Sequence, residues 1–264
     1  MSEEQHLPSI LAIHAHPDDI ELQCAGMLLL MRQAGCSVTV ATMTPGDCGS
    51  CEHDAEAIAD IRRKEAAKAA EILGGDYHCL EFRDLSIEVS NDSRRRVTEF
   101  IRRVNPDLIV TAPPADYMGD HEATSRLVRD AAFNAPIPNY KTLQWDPAPA
   151  TERIPALFYV DPIEGTDCFG EPVSPHFVVD VSDVFETKIE MLACHDSQRS
   201  WLKRQHGLDE YLDSCRRWSQ KRGSDAGFEY GEGFRQHLGH PYPNDNQIGS
   251  ILLDKTRQFG QNAG

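Results

Sequence analysis

The sequence contains no apolar run long enough to cross a bilayer. Its longest, Ala25 to Met31, is seven residues, against the roughly 20 that a spanning helix needs. Basic charge is also scarce: 26 Lys and Arg stand against 42 Asp and Glu, a net charge of −16. That sign repels phosphate backbones and anionic lipid, so nucleic acid and membrane surfaces are poor partners. No Gly-x-Gly-x-x-Gly follows the first predicted strand, which argues against a dinucleotide site. No Gly-x-Ser-x-Gly occurs, which argues against a serine-hydrolase elbow. The opening Met-Ser-Glu-Glu-Gln-His lacks the basic-then-apolar pattern of a secreted precursor, so a cytoplasmic location is expected. Eight cysteines are scattered over 264 residues, too long a chain to need a disulfide framework. Cys48-Gly-Ser-Cys51 is a solitary pair where structural zinc takes four ligands, so these two are read as loop cysteines.

What is present is the composition of a globular protein, 40% hydrophobic with 18 glycines. Over the first 160 residues short β-rich runs alternate with helical spacing. Strands are predicted at Ile10 to His14, Ser37 to Thr42, His78 to Phe82 and Leu108 to Thr111. Between and after them helices are predicted over Leu22 to Ala34, Asp54 to Leu73, Ser93 to Val104 and His121 to Asn134. Such alternation implies a doubly wound, mostly parallel α/β sheet covered on both faces. The Pro-rich stretch from Pro136 to Pro155 reads as a long surface connection. Beyond it, strands are predicted at Leu157 to Val160 and Phe177 to Val181, and helices over Asp183 to Cys194 and Leu208 to Ser219. The chain reads as one domain over 1–264, with a core of about 8–160 and a C-terminal strand-and-helix elaboration of about 161–264.

The informative segment is His14-Ala-His16-Pro-Asp18-Asp19-Ile-Glu21, where the first strand gives way to a helix. Ligands of open α/β sheets bind at the carboxyl ends of strands, near the point where strand order reverses. So many polar groups at a strand end are costly to bury without partners. One reading makes Asp18 and Asp19 helix N-caps. A second cluster favours another. Asp116-Tyr117-Met118-Gly-Asp120-His121 follows the fourth strand, which can neighbour the first across the reversal point. His121 would then face His16 and Asp19. Two histidines and a carboxylate make a catalytic-type zinc site with a position left for water, and Asp18 could take that water's proton. Iron(II) or cobalt would suit the same donors.

His16-Pro-Asp-Asp-Ile-Glu21 resembles the signature of the LmbE-like/PIG-L zinc de-N-acetylases, which act on N-acetylglucosamine units. Thr44-Pro-Gly-Asp47, Arg62-x-x-Glu65, Lys188 with His195-x-Ser-Gln198, and Tyr230-Gly-Glu-Gly-Phe-Arg235 are similar to further segments of that family. The last is similar to a segment of its diacetylchitobiose deacetylases. The resemblance spans about Ile10 to Arg235 and implies a Rossmann-like (LmbE-like) fold. It implies one zinc on His16, Asp19 and His121, with Asp18 as general base. The reaction implied is loss of an N-acetyl or other N-acyl group from an amino sugar or small conjugate. It assigns Arg62 to the departing acetate or the sugar, with Asp84 beside it as a substrate contact; a surface ion pair of Arg62 with Glu65 is the other reading. A homo-oligomer, trimeric or hexameric, is implied as well. The family's His-x-Asp-His stands here as Met118-Gly-Asp-His121, and a thioether has no proton to give. Either His14, Tyr117 or His195 supplies the acid, with Tyr117 and His195 favoured, or zinc suffices for an easier substrate, or activity is reduced or lost. The alternative is a non-catalytic, zinc-containing sugar-binding homologue.

Overall fold

A computed structural model describes residues 7–206 and 210–259. Eight strands form one sheet in the order β3-β2-β1-β4-β5-β7-β6-β8. The first five are β1 (Ser9–His14), β2 (Ser37–Thr42), β3 (Asp76–Cys79), β4 (Leu108–Thr111) and β5 (Ala156–Val160). All pairings among these are parallel, and β1 lies between β2 and β4 with Ile13 opposite both Ala41 and Thr111. The predicted reversal of strand order therefore falls beside β1. The three remaining strands, β6 (Phe177–Asp180), β7 (Gly231–Gln236) and β8 (Thr256–Gln258), extend the sheet antiparallel from β5. One continuous sheet thus takes strands from both the core and the C-terminal elaboration.

β1 is buried on both faces because its alternate residues feed two cores. Ile10 and Ala12 pack on one side, and Leu11 and Ile13 on the other. The first face is covered by α1 (Asp19–Gln23), α2 (Ala25–Gln33), α3 (Ala55–Leu73), α6 (Phe185–Ala193) and α8 (Tyr211–Ala226). The second is covered by α4 (Asn91–Val104) and α5 (Gly119–Asn134). Three helix starts have a local cap of the expected kind. The side chains of Asp54, Ser90 and Asn246 accept from Ala57, Ser93 and Gly249, the last opening α9 (Gln247–Ile251).

Several boundaries differ from the sequence-based expectation. The helix predicted from Leu22 is two helices, since Cys24 leaves helical geometry between α1 and α2. α5 begins at Gly119, two residues early. β3 is set back to Asp76, where its pairing with Thr39 begins. α7 (Asp196–His206) was not predicted, and α8 runs seven residues past Ser219; the predicted start at Leu208 lies outside the described residues. The 136–155 connection carries no helix or strand and is pinned from within: Thr142 Oγ1 and the Ala148 amide donate to the Glu99 carboxylate at 2.5 and 2.9 Å.

Candidate metal centre and cleft

The turn from β1 into α1 places its side chains unusually. Asp18 holds the N-cap position of α1, yet its side chain caps nothing. Its φ of 99° lies in the left-handed region that a non-glycine residue adopts at a cost of about 1–3 kcal/mol. The carboxylate turns instead to accept a 2.6 Å bond from Tyr211 Oη, and it lies 3.6 Å from the Arg62 guanidinium. Asp19 bends back, and its Oδ2 accepts the His16 amide at 2.8 Å. The helix-cap reading of this pair does not hold.

Three donor groups cluster here: His14, Asp19 and His121; His16, Asp84 and Asp120; and Asp47, Cys48 and Asp84. Distances separate their roles. Donors about 2.0–2.2 Å from a tetrahedral ion lie about 3.3–3.6 Å from one another. His16 Nδ1 and His121 Nε2 stand 3.3 and 3.4 Å from Asp19 Oδ2, on that spacing. His14 Nδ1 is 2.6 Å from the same oxygen, a hydrogen-bond contact too short to admit an ion between them. His121 Nε2 is buried with no hydrogen-bond partner, while its Nδ1 is 3.1 Å from the buried Asp116 carboxylate. His16 turns its other nitrogen to Asp84 and Asp120, at 3.0 and 3.4 Å. A carboxylate behind each ligating imidazole is the usual support of a metal site. The donor set and its orphaned nitrogen therefore fit a divalent transition ion.

The electrostatics agree. Burial opposes a charge on His121, but Asp19 and Asp116 outweigh it and raise its pKa to about 10. Burial likewise opposes charge on His16, and Asp120, Asp19 and Asp84 overcome it and raise the pKa. For Asp19 burial favours the neutral acid, yet His14 and His121 hold its pKa well below the usual carboxylate range. Positive charge is strongly favoured at this point. Asp18 behaves differently: burial raises its pKa and Asp19 adds to the rise, against the pull of Arg62, His195 and Tyr211.

The cluster forms the floor of a cleft of about 680 Å³. His16, Asp18, Asp19, Arg62, Asp84, Tyr117 and His121 all line it. Arg62 is buried and not paired with Glu65. Its guanidinium donates to the carbonyls of Pro17 at 2.8 Å and Gly46 at 3.4 Å, and Gly46, with φ +72°, packs flat against it. Glu65 instead accepts from the amide and hydroxyl of Ser197 at 2.9 and 2.5 Å, which joins the Arg-x-x-Glu and His-x-Ser-Gln segments. His195 is fully buried below the floor, 3.4 Å from Glu21, with neither ring nitrogen hydrogen-bonded. Tyr117 stands in the cleft with its ring 5.5 Å from that of His121. Met118 lines the wall where the family's histidine would stand. Cys48 and Cys51 are exposed free thiols.

Sequence reasoning missed Asp116, Asp120 and Tyr211. The two aspartates are close enough to His121 in sequence to have been considered as its support. Nothing in the sequence marks Tyr211, which reaches Asp18 across 193 residues.

Comparison with known proteins finds deacetylases and also a hydratase, 4-oxalmesaconate hydratase of Pseudomonas putida, 25% identical over 198 residues, 72% of this chain and 74% of that protein. The profile of the PIG-L family, GlcNAc-PI de-N-acetylase, matches residues 11–132. Diacetylchitobiose deacetylase of Thermococcus kodakarensis is 27% identical over 197 residues, 72% of this chain and 69% of that protein. The uncharacterized deacetylase YaiS of Escherichia coli is 33% identical over 141 residues, 50% of this chain and 73% of that protein. The solved structure of N,N'-diacetylchitobiose deacetylase from Pyrococcus horikoshii superposes with a TM-score of 0.73 at 24% identity. It covers 89% of this chain and 87% of that one, and shares its fold.

Proposed function

The chain belongs to the PIG-L family, and from that premise we propose that it is a zinc-dependent N-deacetylase acting on an amino sugar or a small N-acetylglucosamine conjugate. One observation carries the reading: His16 Nδ1 and His121 Nε2 stand 3.3 and 3.4 Å from Asp19 Oδ2, with the Asp18 carboxylate beside them facing the cleft. A divalent ion on these three residues would polarise the amide carbonyl and acidify a water.

This chain's residues do the rest. Asp18 accepts the water's proton, its carboxylate fixed from both sides by Tyr211 and Arg62. Arg62 acts from beneath, holding Pro17 and the 44–46 loop in place and leaving its edge toward the cleft for the acetyl oxygen. Tyr117 donates to the departing amine in place of the missing histidine. Desolvation of its phenol, with the charges of Asp19, Asp116 and Asp18, raises its pKa and keeps the proton on. His195 lies under the floor and serves by its charge toward Asp18 and Glu21. Asp84 holds His16. The core and the C-terminal elaboration work as one unit, because both line the cleft. The non-catalytic alternative gives no reason for a strained carboxylate aimed into the cleft.

The test is acetate release from N-acetylglucosamine and its glycosides by metal-loaded protein, with Asp18→Asn and Tyr117→Phe alongside. Release by the parent and its loss in Asp18→Asn are expected. A Tyr117→Phe variant with full kcat would remove that residue from the mechanism.

A further inference from the structure

The cleft is partly apolar above the carboxylate–histidine floor. Its apolar lining includes Leu85, Tyr117 and Met118, together with Trp201 of α7 and Trp218 of α8. Leu85 and Tyr117 are 65% and 68% exposed. Leu85 also adopts a φ of +59°, in the left-handed region a leucine side chain disfavours. Its amide donates at 2.8 Å to Asp120, the same carboxylate that stands behind His16. The strain and the exposure are thus fixed in place by the metal-site scaffold, and they present a leucine side chain at the cleft's rim.

Charge in the cleft points the same way. Arg62 is the one Lys or Arg among the described residues that line it, and its guanidinium is engaged by Pro17, Gly46 and Asp18. Asp18, Asp19, Asp84 and Glu210 face it. Four acidic side chains against one arginine among the described lining residues disfavour an anionic substrate, even with a divalent ion on the floor.

We propose that the cleft takes an N-acyl amino sugar whose far end is an uncharged, flat aryl group, held against the apolar lining of Leu85, Tyr117, Trp201 and Trp218. Conjugates ending in a carboxylate or phosphate are turned away. This deepens the deacetylase reading and rests on it. Large aromatic faces bury such groups with little loss of rotamer freedom.

The experiment uses metal-loaded full-length protein and four probes: free N-acetylglucosamine, its 4-nitrophenyl glycoside, its carboxyalkyl glycoside and its 1-phosphate. Binding is followed by calorimetry and turnover by acetate release. The aryl glycoside should exceed both anionic probes by about tenfold or more in each measurement. Leu85→Gly, which suits the left-handed backbone, and Trp218→Ala should each cut the preference for the aryl glycoside over the free sugar roughly 3- to 10-fold, mainly through KM. Anionic probes that bind as well as the aryl glycoside would overturn the proposal, as would variants that leave the preference intact. No acetate from any probe, with the neutral preference in binding retained, would overturn the deacetylase reading instead.

Discussion

Replacing Lys188 by methionine should cost the fold about 3–5 kcal/mol. Lys188 of α6 lies 2.6 Å from Glu232 of β7, and both side chains are sealed from solvent. The Glu232 oxygens also accept from the amides of Gly26 and Met27, at 2.9 and 2.7 Å. These are the second and third residues of α2, a helix whose own N-cap, Cys24, contributes no side-chain bond. One carboxylate therefore caps a helix from 206 positions away while neutralising an internal ammonium. Burial disfavours the ammonium, and Glu232 more than restores it, so the lysine pKa is raised. Lys188→Met leaves an ionised carboxylate with its amides but no countercharge. For a domain of this size the loss corresponds to about 6–20 °C in Tm, measured by calorimetry and checked by urea unfolding. Glu232→Gln should be comparably harmful. The double variant should recover about 1–3 kcal/mol relative to the sum of the two, because the pair is coupled. A Lys188→Met protein melting within about 2 °C of the parent, or strict additivity in the double, would refute this account.

Three further outcomes follow from the site. Asp18→Asn should lower kcat by about 10²- to 10⁴-fold while leaving Tm at or above the parent value, since asparagine accepts left-handed backbone; a folded variant with full turnover would remove the base. Tyr211→Phe removes a 2.6 Å bond to that carboxylate, worth about 1.5–3 kcal/mol, so kcat should fall about 10- to 100-fold with KM little changed. A change in KM alone would make Tyr211 a substrate contact. His16→Ala and His121→Ala should lose the metal by elemental analysis, whereas His14→Ala should keep one ion with affinity weakened about 10- to 100-fold. The reverse pattern would exchange the roles of His14 and His16.

The parallel half of the fold was legible because strands buried on both faces leave unbroken apolar runs, such as Leu108 to Val110, with helices between them. β7 was not, because Gly-Glu-Gly-Phe-Arg-Gln has no strand-like composition. Its glycines pack close under Asp161 and α8, and its buried glutamate is tolerated only through Lys188. α7 escaped notice because Asp196–His206 is mostly polar, with Trp201 and Leu202 its apolar residues toward the cleft. At the site, His16, Asp18 and Asp19 stand out in the sequence because they follow the first strand, and His121 because it closes the polar segment after the fourth. The supporting groups are less visible: Asp116 and Asp120 lie behind His121 and His16, and Tyr211 meets Asp18 only through the packing of α8 on the sheet.

The cleft also draws its metal donors and part of its apolar lining from different stretches of the chain. Every residue assigned to the ion lies between positions 16 and 121, in the turn after β1 or in the first turn of α1 or α5, whereas the cleft's tryptophans arrive with α7 and α8. Glu65–Ser197 and Glu232–Lys188 bolt the later helices to the earlier ones from outside the cleft. Cleft-lining residues of these helices other than Tyr211, such as Trp201, Leu202 and Trp218, can therefore be exchanged for others of different shape or charge without disturbing the donor geometry. A chain wired in this way can be retuned toward a new amino-sugar conjugate by altering one stretch of two helices while its reacting groups stay fixed.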